Sequence, residues 1–297
     1  MPSNEPPAAL SDLSDLHRHL DGSLRLSTVE ELAGRLGIPI PDPLYFRPGM
    51  GLEAALSCFD FTLSLLQDPA AVTRVAAEMC EDAVEEGVTT LEIRFAPQLH
   101  NGASVETVID AALEGIDGRA GLILCSLYGE PPEVMTGLVE AAIPRPGVVG
   151  IDLAGGPGST HSWAMSDYAP AYRLAAEHGI GRTVHAGEGR PAAEIGVAIE
   201  LLQAQRIGHG TTILEDLAVV ELALEREVTI EACVTSNVQT GVVASVAAHP
   251  LRRWLDAGLR ACVCVDNTLF SRTTAPEEFE RVCMAQDLSR KQVDRLV

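Results

Sequence analysis

The chain of 297 residues carries 42 acidic and 21 basic side chains, a formal net charge of −21. That balance repels phosphate backbones and removes the attraction behind most non-specific nucleic-acid binding, so DNA and RNA are poor partners and the acidity reads as a solvated surface. No apolar run is long enough to span a membrane and no basic-then-apolar leader opens the chain. Seven scattered cysteines, an odd number, fit thiols kept reduced, and the expectation is a soluble cytoplasmic protein.

Residues 1–12, with Pro2, Pro6 and Pro7, read as a loose tail, and 13–297 as one domain. A first strand is predicted over 13–19, where an apolar approach ends at the turn residues Asp21 and Gly22. The 51–66 stretch is rich in apolar side chains. It reads either as a cover over a barrel mouth or as an ordinary outer packing helix. Further strands are predicted at 88–96, 122–128, 148–153, 182–185, 206–209, 228–233 and 261–265. Helices are predicted at 105–116, 133–142, 167–178, 192–204, 216–225 and 250–257. Eight alternations predict an α/β fold, a (β/α)8 TIM barrel with a helical insertion after strand 1, and leave a doubly wound open sheet as the rival. The barrel is preferred because polar clusters end the first, fifth, sixth and eighth strands, and closure brings the first and eighth together. Cys262 and Cys264 alternate with valines and are expected to fill space on the last strand's inner face.

The polar clusters carry the chemistry. His17 and His19 lie two apart on a strand, so both imidazoles share one face. With His185 and Asp266 they make a set of nitrogen and carboxylate donors that zinc-like metals accept, with a position left for water. Alone, a His-x-His at a strand end is as readily a plain polar pair. His185-Ala186-Gly187-Glu188, Gly208-His209-Gly210 and Asp266-Asn267 each close a short apolar run or follow one, which moves the reading to a hydrolytic metal centre.

With these residues assembled, the sequence resembles the adenosine deaminase family of amidohydrolases. The matching blocks are His-x-His-Leu-Asp-Gly at 17–22, Asp-Leu-Ala-Gly at 152–155, His-Ala-Gly-Glu at 185–188 and Gly-His-Gly at 208–210. Ser-Asn-Val-Gln-Thr-Gly at 236–241 and Asp-Asn at 266–267 add weaker matches. The resemblance implies one divalent metal ion, Zn2+ first, held by His17, His19, His185 and Asp266. Water is then the nucleophile at C6 of a 6-aminopurine, oriented or deprotonated by His209 with Asp266 in reach, while Glu188 protonates N1. It also implies Gly155 at purine N3, Asp21 at the sugar hydroxyls and Asn267 at N7. Asp21 equally reads as a brace for the first turn, and Glu188 alone as a helix N-terminal acid.

Two departures bear on substrate. Asn267 stands where the family often has a second aspartate, and Gly156-Pro157 replaces an acidic pair. The expected reaction converts adenosine or 2′-deoxyadenosine to the inosine and ammonia. Adenine, methylthioadenosine and aminodeoxyfutalosine are the alternatives, the last wanting an arginine such as Arg25, Arg47 or Arg190 near the mouth. Ester or lactone hydrolysis on the same barrel is a second class, in which a lysine-bridged metal pair is implausible because Lys291 is the sole lysine. A non-catalytic nucleoside binder is a third, and it has no need of Glu188 beside the ligand set. The expected partner is a small purine nucleoside, with the oligomeric state open.

Overall fold

The computed structural model describes residues 13–156, 161–293 and 295–296. The expected tail at 1–12 and Pro157 lie outside the described residues. Eight parallel strands pair in chain order: β1 (Leu13–His19), β2 (Val88–Phe95), β3 (Gly121–Leu127), β4 (Val148–Ala154), β5 (Gly181–Ala186), β6 (Arg206–His209), β7 (Thr229–Ala232) and β8 (Arg260–Val263). β3 and β4 are rich in Val, Ile and Leu, as strands buried on both faces are. In β3, Leu122, Ile123, Leu124 and Cys125 are all buried.

The ends of this sheet meet, which settles barrel against open sheet. The β8 ladder stops at Val263, two residues short of the expected 265, because the next residues turn toward β1. The Asp266 N–H donates to the His17 carbonyl at 2.9 Å and the His19 N–H to the Asp266 carbonyl at 2.8 Å. Closure thus seats Asp266 beside both strand histidines.

The helices follow in chain order as α1 (Leu26–Leu36), α2 (Leu52–Leu65), α3 (Pro69–Glu85), α4 (Val105–Ile116), α5 (Pro132–Ala142), α6 (Ala169–Glu177), α7 (Ala192–Glu200), α8 (Leu217–Glu225), α9 (Val234–Gln239), α10 (Leu251–Ala257), α11 (Thr268–Ser271), α12 (Ala275–Ala285) and α13 (Arg290–Val293). Local chemistry starts several of them. Asp68 caps α3 by accepting from the Ala70 N–H, with Pro69 at the first position. Thr274 and Glu277 form a reciprocal box at α12. Two predicted helices are shorter than expected. The 167–178 stretch opens as a 3-10 turn (Met165–Tyr168) before α6, and α7 ends at Glu200, well short of 204. There Gln203 adopts φ +53 and the Ala204 N–H closes back on the Ala198 carbonyl, a left-handed stop that periodicity does not reveal. Among the described residues no helix is long and apolar enough to cross a membrane.

Cys262 and Cys264 pack with Leu16 and Cys233 in a small buried cluster. Two histidines away from the strand-end cluster are also buried. The His100 Nδ1–H donates to the Leu66 carbonyl, and His249 sits under Trp254. Burial lowers the pKa of both, that of His249 to about 3 with a contribution from His209. The unfolded chain takes up protons that these folded imidazoles refuse, so stability falls as pH drops below the ordinary histidine range. Going from pH 7 to pH 5 is expected to cost about 2 kcal/mol at His249. His249→Gln removes one share; urea unfolding at the two pH values measures it, and an undiminished pH dependence refutes it.

Candidate active site

Strand ends and sharp turns bring the predicted residues together at the C-terminal mouth of the barrel. The Nε2 atom of His19 lies 3.3 Å from Nε2 of His17 and 3.3 Å from Nε2 of His185. Oδ1 of Asp266 is 3.4 Å from His19 Nε2 and 3.8 Å from His17 Nε2. Ligands of a tetrahedral ion with metal–nitrogen bonds of about 2.0–2.1 Å stand about 3.3–3.4 Å apart, so these four donors fit a small divalent cation. Without one, three imidazole nitrogens at this spacing have lone pairs facing each other.

The outer ring nitrogens explain why the inner ones face inward. Nδ1 of His17 meets Glu231 at 2.6 Å and Nδ1 of His185 meets Asp152 at 2.9 Å. Each carboxylate holds the proton on Nδ1 and leaves Nε2 bare for a metal. Arg94, fully buried, joins the two carboxylates, at 2.7 Å from Asp152 and 2.9 Å from Glu231. Although burial disfavours its charge, His185 and Arg94 hold the Asp152 carboxyl well below the usual range. Gly208 makes room for this packing, since a Cβ there would stand 2.9 Å from the His17 ring.

Glu188 follows Gly187, whose φ of +68 folds the chain back over the mouth. Its carboxyl is buried and its pKa is raised, by burial against the opposing pull of His185, Thr240 and Asn237. His209 at φ +67 and Asp266 at φ +66 occupy left-handed backbone, a conformation that costs non-glycine residues roughly 1–3 kcal/mol and recurs where side chains are aimed for function. Burial lowers the His209 pKa to about 3, with Asp266 acting in the other direction, so the ring is neutral.

A cavity lined by His19, His185, Glu188, His209, Asp266 and Asn267 is roofed by Leu52, Leu56 and Phe59 of α2. The 51–66 stretch is therefore the cover and not an outer helix. Phe59 packs at 5.0 Å on Phe270, which stacks at 4.9 Å on Phe46. The free volume of the cavity is about 50 Å³, below that of an ordinary small-molecule pocket. Gly155 and Asn267 line the cavity, whereas Asp21 is buried outside that lining. Oδ1 of Asp21 and Oδ1 of Asn267 have no hydrogen-bond partner among the described residues. Burial, then Asp266, raises the Asp21 pKa to about 7. Arg25, Arg47 and Arg190 are absent from the lining; Arg25 pairs with Asp82 and Arg190 with Glu194.

Sequence reading assigned no role to Arg94, Glu231, Asn237, Thr240, His249 or Cys233. Cys233 offers its thiol within 4.8 Å of donors from His17, His209 and Asp266. Charges placed inside β2 and β7 were the available signal for Arg94 and Glu231.

Over residues 13–297 the chain matches the adenosine deaminase family profile. Adenosine deaminase of Clostridium kluyveri is 35% identical over 309 aligned residues, 96% of this chain and 86% of the relative. An adenine deaminase from Arthrobacter aurescens superposes with a TM-score of 0.86 at 26% identity, covering 96% of this chain and 90% of that one. A Burkholderia ambifaria amidohydrolase with bound Zn shares the fold, with a TM-score of 0.84 at 22% identity over 96% of this chain and 83% of its own. The chain belongs to the adenosine deaminase family, hydrolases acting on the carbon–nitrogen bonds of cyclic amidines.

Proposed function

We propose that this protein hydrolyses the 6-amino group of a purine nucleoside, adenosine or 2′-deoxyadenosine first, giving the 6-oxo nucleoside and ammonia. The carrying observation is a buried Glu188, its carboxyl pKa pushed up by burial, beside three converging imidazoles and Asp266. His17, His19, His185 and Asp266 would hold one divalent cation, and their nitrogen-rich set with one carboxylate suits Zn2+. When bound, the cation supplies Lewis-acid activation of water.

The chain's own groups do the rest. His209 and Asp266 orient the attacking water at C6. Glu188 gives its proton to N1, which neutralises charge that would otherwise build on the ring. Asn267 donates an amide N–H to N7, the Gly155 backbone approaches N3, and Asp21 receives a sugar hydroxyl, which would satisfy its own orphaned Oδ1. The α2 roof excludes bulk water. A 5′-carboxylate has no arginine waiting for it in the lining, which disfavours aminodeoxyfutalosine. Adenine itself is the second reading, favoured by the narrow cavity. Seven free thiols, none paired, accord with a reducing cytoplasmic setting.

Ammonia release from adenosine, 2′-deoxyadenosine, methylthioadenosine and adenine, measured alongside metal content, tests this. Turnover of adenosine by a protein with one bound zinc is the expected result. A preference for free adenine moves the substrate, and silence toward all four ends the deaminase reading.

A further inference from the structure

We infer that Asn237 and His249 are positioning residues that fix the proton of His209 on Nε2, so that His209 donates a hydrogen bond to the attacking water and does not take its proton. This rests on the deaminase reading for its consequence, though not for its geometry.

The direction of the hydrogen bonds is set at one end by the backbone. The Leu251 N–H can only donate, and it points at Nδ1 of His249 at 3.2 Å. Neutral His249 therefore carries its proton on Nε2, which lies 3.2 Å from Asn237 Oδ1. With its oxygen used there, Asn237 turns its amide nitrogen to Nδ1 of His209 at 3.0 Å. That nitrogen must accept, so the one proton of neutral His209 sits on Nε2, at the opposite edge of a ring that lines the cavity. Flipping the Asn237 amide would set its N–H against the Nε2–H of His249 and is excluded. All three side chains are buried, which removes water as an alternative partner.

Asn237 also organises Glu188. Its amide nitrogen is 3.5 Å from Oε1 of Glu188, and the Thr240 hydroxyl donates to the same oxygen at 3.2 Å. Both donors end on Oε1, leaving Oε2 to bear the acid proton. The amide thus sets two proton positions at once. Water then loses its proton to the Asp266 carboxylate, the hydroxide oxygen bonds to C6, and the Oε2 proton of Glu188 goes to N1.

Long-range proton–nitrogen NMR of zinc-loaded protein labelled with 15N-histidine reads the tautomer directly, with His209→Asn assigning the signal. The expected pattern is a bare Nδ1 and a protonated Nε2 on His209. A proton on Nδ1, alone or together with Nε2, at neutral pH overturns the inference. Asn237→Asp supplies a carboxylate that accepts from both rings. It should move the proton to Nδ1 and lower kcat by about 10²-fold or more with KM little changed. His249→Gln, whose amide nitrogen can replace Nε2, should keep the wild-type tautomer. Retention of Nε2–H and full kcat in Asn237→Asp also overturns the inference. A wild-type protein with the expected tautomer but no turnover of any aminopurine defeats the deaminase reading and leaves the hydrogen-bond chain standing.

Discussion

Glu188→Gln is expected to lower kcat by about 10²- to 10⁴-fold while the bound metal stays at its wild-type level. The amide matches the carboxyl in shape and keeps contacts near Thr240 and Asn237, but it has no proton to release to N1. Water addition to an aromatic ring then leaves negative charge on a nitrogen with nothing to neutralise it. Burial raises the pKa of the wild-type carboxyl, which favours its acid form, and the isosteric amide removes that acid alone. Steady-state kinetics with the best substrate, together with metal analysis, checks both halves. Near-parental turnover removes Glu188 from the mechanism, whereas loss of metal would make it a structural residue.

Arg94→Met should have the largest effect on stability. Arg94 bridges Asp152 and Glu231 and also donates to the Leu16 carbonyl, with no exposed surface of its own. Its own desolvation is costly, yet the two carboxylates hold it firmly protonated. Methionine fills much of the volume but leaves two buried carboxylates without their shared cation. Breaking a buried pair in this way costs about 3–5 kcal/mol. A drop of about 10 °C in Tm follows for a domain of this size. Because the same carboxylates orient His17 and His185, metal affinity should fall by about 10- to 100-fold as well. Urea unfolding and zinc titration measure the two effects. A variant within about 1 kcal/mol of wild type would mean the network is not held together by Arg94.

Much of this site was legible because its residues sit where local signals are strong. Each of His17, His19, His185 and His209 ends or nearly ends an apolar strand, and Glu188 follows a glycine turn. Asp266 was legible too, although its strand ends earlier than the apolar run suggests. Its position depends on hydrogen bonds to β1 rather than on the β8 ladder. The role of α2 stayed open because apolar content alone does not say which side of a helix meets which surface. Its roofing position emerges from the packing of Phe59 against Phe270.

The supporting groups were a different matter. Glu231 reaches His17 across 214 residues and Arg94 reaches Glu231 across 137. No periodicity pairs such distant positions; only closure of the barrel does. The chain of Leu251, His249, Asn237 and His209 likewise depends on the loop after β7 folding under the mouth. Strand and turn preferences are local, so the order of residues along the chain was enough to announce a barrel and the groups at its mouth. Proton positions, the closed roof and the buried ion network depend on contacts between remote segments, and those exist only once the sheet has curled and its first and last strands have met.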